Sequence, residues 1–338
     1  MGDMQDRFLA VDLGGTRLRV AVTDQGFQLS GRQEEATALP EGPEGVVGQI
    51  GRMMDRALMD AGVARDCIRG VAVGSPGPLD AKLGVIHGAP NLTGWTKVPL
   101  KLMLEERLAL PVDVVNDANA AALAEHRLGA GRGARDFVYL TISTGIGGGV
   151  IVNGQLLEGA SGTAGELGHT TIDCHGPVCK CGNIGCLEAL ASGTAIGERF
   201  QQGLQAGRQS SASNWLGGEA ASAADVTRAA QEGDSYALEV LTDAAEALGF
   251  GVLNCIHTFN PEVIALGGGV TRAGSLLFDP MMRMVERYAL AIPRGDVRIV
   301  PAELGDDVGL AGAACVAVAS ADLTRENDDE HRRGWRDG

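Results

Sequence analysis

The chain has 338 residues, 45% of them hydrophobic, and a formal net charge of −15. That length exceeds one small core and predicts two lobes, and the apolar fraction predicts globular packing rather than disorder. The acidic balance argues against wrapping nucleic acid or docking on an anionic membrane, and no run of about 18 apolar residues offers a membrane span.

The opening MGDMQDRFLAVDLGG has no basic region followed by an apolar one, so no signal peptide is expected. RFLAVDLGGTRLRVAVTD reads as strand, glycine turn, strand. Leu9, Val11 and Leu13 alternate with Ala10 and Asp12, and Leu18, Val20 and Val22 with Arg19 and Ala21. A third strand near 27–35 would complete a meander, and residues 44–61 have helical periodicity. IRGVAVGSPGPL is a buried strand running into a loop. LKLMLEERLAL is a helix stopped by Pro111, VDVVN a short strand, and DANAAALAEHRLG an Ala-rich helix closed by Gly129. FVYLTISTGIGGGVIVNG repeats the strand–turn–strand device about 130 residues after the first, which predicts two lobes on one plan. Residues 203–222 read as a surface loop, 235–258 as a long helix, and EVIALGGGV as a strand entering glycines before another helix. The last 18 residues read as a polar, frayed tail.

The glycine turns DLGGT (12–16) and STGIGGG (143–149) both lie between strands. Glycine admits φ > 0 and leaves backbone N–H groups open to an anion. The hydroxyls of Thr16, Ser143 and Thr144 add donors. Either turn alone also fits a plain hairpin. Neither has the G-x-G-x-x-G spacing before a helix, and none of the lysines (Lys82, Lys97, Lys101, Lys180) completes a P-loop. Paired with LGGGV at 266–270, they point to nucleotide phosphates held between two lobes. Asp12 beside the first turn suits Mg²⁺ held through water, or a simple turn acceptor. Asn116 and Asp117 stand where a strand ends and a helix begins. Both are preferred N-cap residues, and a carboxylate there also suits acceptance of a hydroxyl proton in phosphoryl transfer.

GELGHTTIDCHGPVCKCGNIGCLE (165–188) places Cys179, Cys181 and Cys186 around Gly182 and Gly185, a tight knuckle suited to tetrahedral Zn²⁺. Cysteines number seven, an odd count, and Cys67, Cys255 and Cys315 lie alone in apolar segments. Without an export signal this favours a reducing cytoplasm and a metal over disulfides. His169, Cys174 and His175 are open as fourth ligand. A site with three or more sulfurs is closed and structural. Glu166 and Glu188 on this clip suit hydrogen bonds from a polyol, or a solvated surface. The loops GSPGPLD (74–80) and APNLTGW (89–95) either frame a polar ligand or are ordinary turns.

Taken in order, DLGGT, GSPGPL, PNLTGW, NDANAAALAE, TISTGIGGGVIV, GELGH, CKCGNIGCLEALASG and LGGGV resemble the ROK family (repressors, ORFs, kinases) of sugar kinases over about residues 7–320. Its glucose-phosphorylating bacterial members are the most similar. The resemblance implies an α/β, actin-like/hexokinase-type (ribonuclease H-like) two-lobe fold with a cleft between the lobes. Residues 1–117 with about 306–320 would form the small N-terminal lobe, 118–305 the large C-terminal lobe with the zinc loop, and 321–338 the tail. It implies ATP-dependent phosphorylation of a hexose at the 6-hydroxyl, glucose giving glucose 6-phosphate, with Asp117 as general base. Asn116, Glu166, His169 and Glu188 would bind sugar hydroxyls, with Asn91 and the Gly77 backbone at the rim. His169, Cys179, Cys181 and Cys186 would hold Zn²⁺, His169 turning its other ring nitrogen toward a hydroxyl. Gly14, Gly15, Thr16, Thr144, Gly145 and Gly268 would line the phosphates of ATP, with Asp12 at Mg²⁺. A cytoplasmic homo-oligomer, dimer or tetramer, without nucleic-acid or membrane partners, completes the expectation. Three alternatives stand beside it: an all-thiolate metal site that uses Cys174, a different sugar (N-acetylmannosamine, fructose or allose), and a non-catalytic sugar-binding regulator. Regulators of the family carry an N-terminal helix-turn-helix, for which a first glycine turn at residue 14 leaves no room in this sequence.

Overall fold

The computed structural model describes residues 6–89 and 91–334, with side chains of the last helix described through Ala321. Pro90 of the PNLTGW motif lies outside the described residues. The chain divides into two compact units, Met1–Arg127 with Glu158–Ala164 and Asp306–Gly338, and Leu128–Leu157 with Gly165–Gly305.

In the first unit β1 (Arg7–Leu13), β2 (Arg17–Thr23) and β3 (Leu29–Ala36) form an antiparallel meander. α1 (Gly42–Ala61) leads to β4 (Ile68–Ser75), parallel to β1. A small hairpin of β5 (Leu79–Asp80) and β6 (Val85–Ile86), then α2 (Leu100–Leu108), precede β7 (Val112–Asn116), parallel to β4. The sheet order is β3-β2-β1-β4-β7. The two-residue period of the strands sorts their side chains between the faces. Leu9, Val11, Leu13, Leu18, Val20 and Val22 pack with Val46, Ile50, Met53 and Met54 of α1. Phe8, Ala10, Ala21 and Ala72 pack with Leu310, Ala313, Ala314 and Ala317 of the C-terminal helix (Val308–Gly334). α3 (Asp117–Leu128) meets the same helix closely, since a Cβ on Gly312 would lie 2.4 Å from the Ala120 backbone.

In the second unit β8 (Phe137–Ile142), β9 (Ile146–Val152) and β10 (Gln155–Leu156) form another antiparallel meander. α4 (Leu187–Ala191), α5 (Gly193–Gln205), α6 (Ser213–Leu216), α7 (Ala223–Gln231) and α8 (Ser235–Phe259) then lead to β11 (Val263–Gly267), parallel to β8. α9 (Ser275–Tyr288) and α10 (Ala291–Asp296) precede β12 (Arg298–Pro301), parallel to β11. The order β10-β9-β8-β11-β12 repeats the succession of the first sheet, a meander followed by parallel strands. Val138, Leu140, Ile142, Ile264 and Leu266 pack with Leu241, Leu248, Val252 and Ile256 of α8. Asp234 caps α8 by accepting the Ala237 N–H at 2.9 Å.

Three stretches differ from their sequence reading. The helix 117–128 clusters with the first unit rather than the second, because it packs on the C-terminal helix through Gly312. The stretch 203–222 is not all loop: α5 runs to Gln205, and α6 buries Ala212 ahead of it. The C-terminal helix continues from 321 through Gly334, a stretch with no proline to stop it. Among the described residues, no helix is long and apolar enough to cross a membrane.

Candidate active site

In the first unit the candidate residues gather at the carboxyl ends of adjacent parallel strands, where α/β sheets place ligand chemistry. The register sets Asp12 of β1 opposite Gly74 of β4, and Ser75 opposite Asn116 of β7. Asp12 also faces Arg19 across the hairpin, whose Nη1 donates to its Oδ2 at 3.3 Å. Burial pushes the Asp12 carboxyl above the usual carboxylate range, and the Arg19 and Arg32 guanidiniums oppose that shift. Arg19 donates as well to the Asp306 carbonyl at 2.7 Å, just before the C-terminal helix. A Cβ on Gly309, in that helix's first turn, would lie 2.5 Å from the Asp12 carboxyl carbon. Asp12 therefore sits against the first turn of that helix.

The turn after β1 is closed by the Gly14 N–H on the Arg17 carbonyl (2.9 Å) and held from outside by the Thr37 hydroxyl, which donates to the Gly14 carbonyl at 2.6 Å. Thr16 is exposed at its tip. Gly15 abuts Asn91: a Cβ there would meet the Asn91 carbonyl oxygen at 2.2 Å. Asn116 caps α3, its Oδ1 accepting the N–H groups of Ala118 (2.9 Å) and Asn119 (3.2 Å). Asp117 is the first residue of α3 and is exposed, with Oδ1 fixed by the Ala118 N–H at 2.8 Å. Gly77 lies beside this cap, since a Cβ on it would lie 3.2 Å from Asn116 Nδ2. The structure thus brings Gly15 to Asn91 and Gly77 to Asn116.

In the second unit the turn 143–145 joins β8 to β9. The Ser143 N–H donates to the Gly145 carbonyl at 2.8 Å. Gly268, at φ +91°, presses on the end of β8: a Cβ there would lie 2.3 Å from the Ile142 carbonyl oxygen. A cavity of about 660 Å³ opens beside the turn, lined by Thr144, Thr194, Ser222, Arg228, Gly269 and Arg272 among others. Its size suits a small ligand such as a nucleoside. The Arg228 guanidinium lies over the Trp215 ring, 4.5 Å from its centroid. Of this lining, sequence reading singled out Ser143 and Thr144 but missed Thr194, Ser222 and Arg228. Only Ser222 carried a signal: with Asp225 three residues on, it forms the capping box that opens α7.

His169, Cys179, Cys181 and Cys186 form one group whose donor atoms all lie within 4.8 Å of one another. Cys181 Sγ and Cys186 Sγ are 3.7 Å apart, and Cys179 Sγ is 3.8 Å from His169 Nδ1. Sulfurs bound at about 2.3 Å in a tetrahedron stand about 3.8 Å apart, so these residues fit Zn²⁺. The knuckle is shaped by the Cys179 N–H on the Asn183 carbonyl (2.7 Å) and the Gly182 N–H on the Cys179 carbonyl (2.9 Å). Gly185 is obligatory in this fold, because a Cβ would fall 1.6 Å from the Asp173 carbonyl oxygen. Burial pushes the Cys186 thiol up to about 12 and raises that of Cys179, whereas the Asn183 N–H lowers that of exposed Cys181. All seven cysteines are free thiols. Cys174 is exposed and, like His175, stands outside the four-residue group.

His169 Nε2, the nitrogen turned away from Cys179, lies 4.0 Å from Glu166 Oε2. Glu188 follows Cys186 by two residues, in the first turn of α4. Its Oε2 accepts the Ile146 N–H at 2.9 Å.

A sequence profile described as the ROK family matches residues 8–320. The chain is 37% identical over 311 residues to a glucokinase of Thermotoga maritima, covering 92% of this chain and 96% of that protein. It is 33% identical to an N-acetylmannosamine kinase of Salmonella newport, over 91% of this chain and 97% of that one. A ROK hexokinase structure from Thermus thermophilus superposes with a TM-score of 0.80 at 36% identity, covering 94% and 99% of the two chains. A ROK family glucokinase from Streptomyces griseus, solved with glucose and AMPPNP, superposes at 0.75 with 33% identity, covering 92% and 98%. These likenesses share the actin-like/hexokinase-type fold, extend over nearly the whole length of both partners, and place this chain in the ROK family.

Proposed function

We propose that this chain is an ATP-dependent hexose kinase that converts glucose to glucose 6-phosphate. The observation that carries the reading is the Cys₃His group with Glu166 set against the outward nitrogen of His169. A rigid clip presenting an imidazole and a carboxylate together suits the hydroxyls of a sugar. The 37% identity to the Thermotoga maritima glucokinase supports glucose as that sugar.

Asp117 accepts the proton of the 6-hydroxyl. The sugar oxygen attacks the γ-phosphorus, the bond from that phosphorus to the β,γ-bridging oxygen breaks, and ADP leaves. Ala118 N–H on Oδ1 sets the orientation of the Asp117 carboxylate for this transfer. Asn116, Glu166, His169 and Glu188 bind sugar hydroxyls, with Asn91 and the Gly77 backbone beside them. Gly14, Gly15 and Thr16, and Thr144, Gly145 and Gly268, receive the phosphates. Mg²⁺ bound with ATP neutralises phosphate charge, and Asp12 would hold it through water. His169, Cys179, Cys181 and Cys186 would hold a structural Zn²⁺ in a closed site. A cytoplasmic homo-oligomer without nucleic-acid partners belongs to the same reading, and sedimentation tests the oligomer.

The relation to an N-acetylmannosamine kinase keeps a second substrate in view. ADP release from ATP-Mg²⁺ over glucose, mannose, fructose, allose, N-acetylglucosamine and N-acetylmannosamine separates the two. Strong turnover on glucose supports the proposal. A preference for N-acetylmannosamine replaces the sugar, and silence on every sugar from folded, metal-loaded protein favours a binding-only regulator.

A further inference from the structure

Glu188 does more in this structure than present a carboxylate on the clip. Its Oε2 accepts the Ile146 N–H at 2.9 Å, directly after the turn 143–145. A Cβ on Gly145 would lie 2.4 Å from the same oxygen. Gly145 is not among the residues at positive φ, so φ does not demand glycine there. A side chain there would have to displace the Glu188 carboxylate. The chain just beyond Glu188 grips the turn again. The Gly193 N–H donates to the Ser143 carbonyl at 2.7 Å, and the Thr194 hydroxyl donates to the Thr144 carbonyl at 2.8 Å. Thr144, Gly193 and Thr194 all line the 660 Å³ cavity.

We propose that Glu188 is a positioning residue for the nucleotide turn, and that its carboxylate makes the sugar clip and the 143–146 turn one hydrogen-bonded unit. Removing the acceptor frees the Ile146 N–H and lets the turn drift from the shape that receives phosphates. The acceptor matters here, not the charge. The inference rests on the reading of this turn as a phosphate-binding one.

The test is ADP affinity measured by calorimetry on the full-length, metal-loaded protein with no sugar present. Glu188→Gln keeps an acceptor oxygen at the same reach, and its ADP Kd should stay within about threefold of the parent while its glucose Kd rises. Glu188→Asp keeps the charge but falls short of Ile146, and Glu188→Ala removes the acceptor. Both should bind ADP about tenfold more weakly, the effect of one lost hydrogen bond. Thr194→Val, which lies outside the clip, should weaken ADP in the same direction with glucose affinity retained. ADP affinity unchanged in the Asp and Ala variants would overturn the inference. Weaker ADP binding in Gln with parental affinity in Asp would overturn it too, by showing that the charge is what counts. A parent protein that binds no ADP would instead refute the kinase reading itself. Thermal unfolding run beside each titration identifies any variant whose loss is a folding defect, and Thr194→Val then decides.

Discussion

The Cβ that Gly15 lacks would lie 2.2 Å from the carbonyl oxygen of Asn91. Two motifs separated by 73 residues of sequence, DLGGT and PNLTGW, are therefore in backbone contact, and the contact is possible only at glycine. This relationship gives the second glycine of DLGGT a packing reason distinct from any phosphate it receives.

Gly15→Ala should accordingly displace the 91–95 loop or the turn, with a stability loss of about 1–3 kcal/mol, typical of overpacking. Because Asn91 belongs to the proposed sugar rim, the KM for sugar should rise together with that for ATP. Denaturant melts and two-substrate kinetics check this. An Ala variant with parental stability and kinetics would show that the loop yields freely.

Much of this architecture was legible because it depends on local pattern. The alternation of Leu9, Val11 and Leu13, and the repeat of strand–turn–strand at 137–152, are period-two signals that read directly as the two meanders. The cysteine spacing likewise marked the Cys₃ part of the metal group. Contacts made only in three dimensions did not show. Nothing in RLRV says that Arg19 faces Asp12 and reaches the Asp306 carbonyl, nearly the whole chain away. Nothing in CLEAL says that Glu188 reaches back to Ile146. The fourth member of the candidate metal group was open in sequence because His169, Cys174 and His175 all lie within ten residues before Cys179, and only the fold brings His169 to the cysteines. The turn residues in 203–222 masked α6 for a related reason: a four-residue helix has no periodicity to read.

The wall of the second-unit cavity carries a pH-dependent helix cap. The Ser222 hydroxyl and N–H both donate to Asp225 Oδ2, at 2.6 and 2.9 Å, and hold the Asp225 carboxyl below its usual range. A lowered folded-state pKa means stability that is present above the unfolded value of 3.8 and lost as pH falls through the folded one. Asp225→Ala should cost about 1 kcal/mol at neutral pH, in line with loss of a helix cap, and the cost should shrink as pH drops below 4. Melting curves of both proteins across that range check the sign. A gap that widens on acidification would contradict it.

The metal group predicts a composition as well as a phenotype. Purified protein should contain one zinc per chain by elemental analysis. Cys181→Ser should lose it, melt lower, and show a KM for sugar raised about 10- to 100-fold, as loosened metal-site ligands typically do. Chelation of the parent should reproduce this and zinc should reverse it. Fully active protein without metal would remove the structural role assigned to His169, Cys179, Cys181 and Cys186.

The central claim, phosphoryl transfer with Asp117 as the base, is tested most directly by Asp117→Asn. The amide keeps the size of the side chain and an oxygen for the Ala118 N–H but cannot take the hydroxyl proton. Turnover of glucose with ATP-Mg²⁺ should fall about 10²–10⁴-fold, the range expected for loss of a general base. Glucose affinity by calorimetry should stay within about threefold, since the loss lies in the transition state rather than in binding. An Asn variant that turns over at the parental rate, or one that loses glucose binding while bound sugar still reacts normally, would contradict the account.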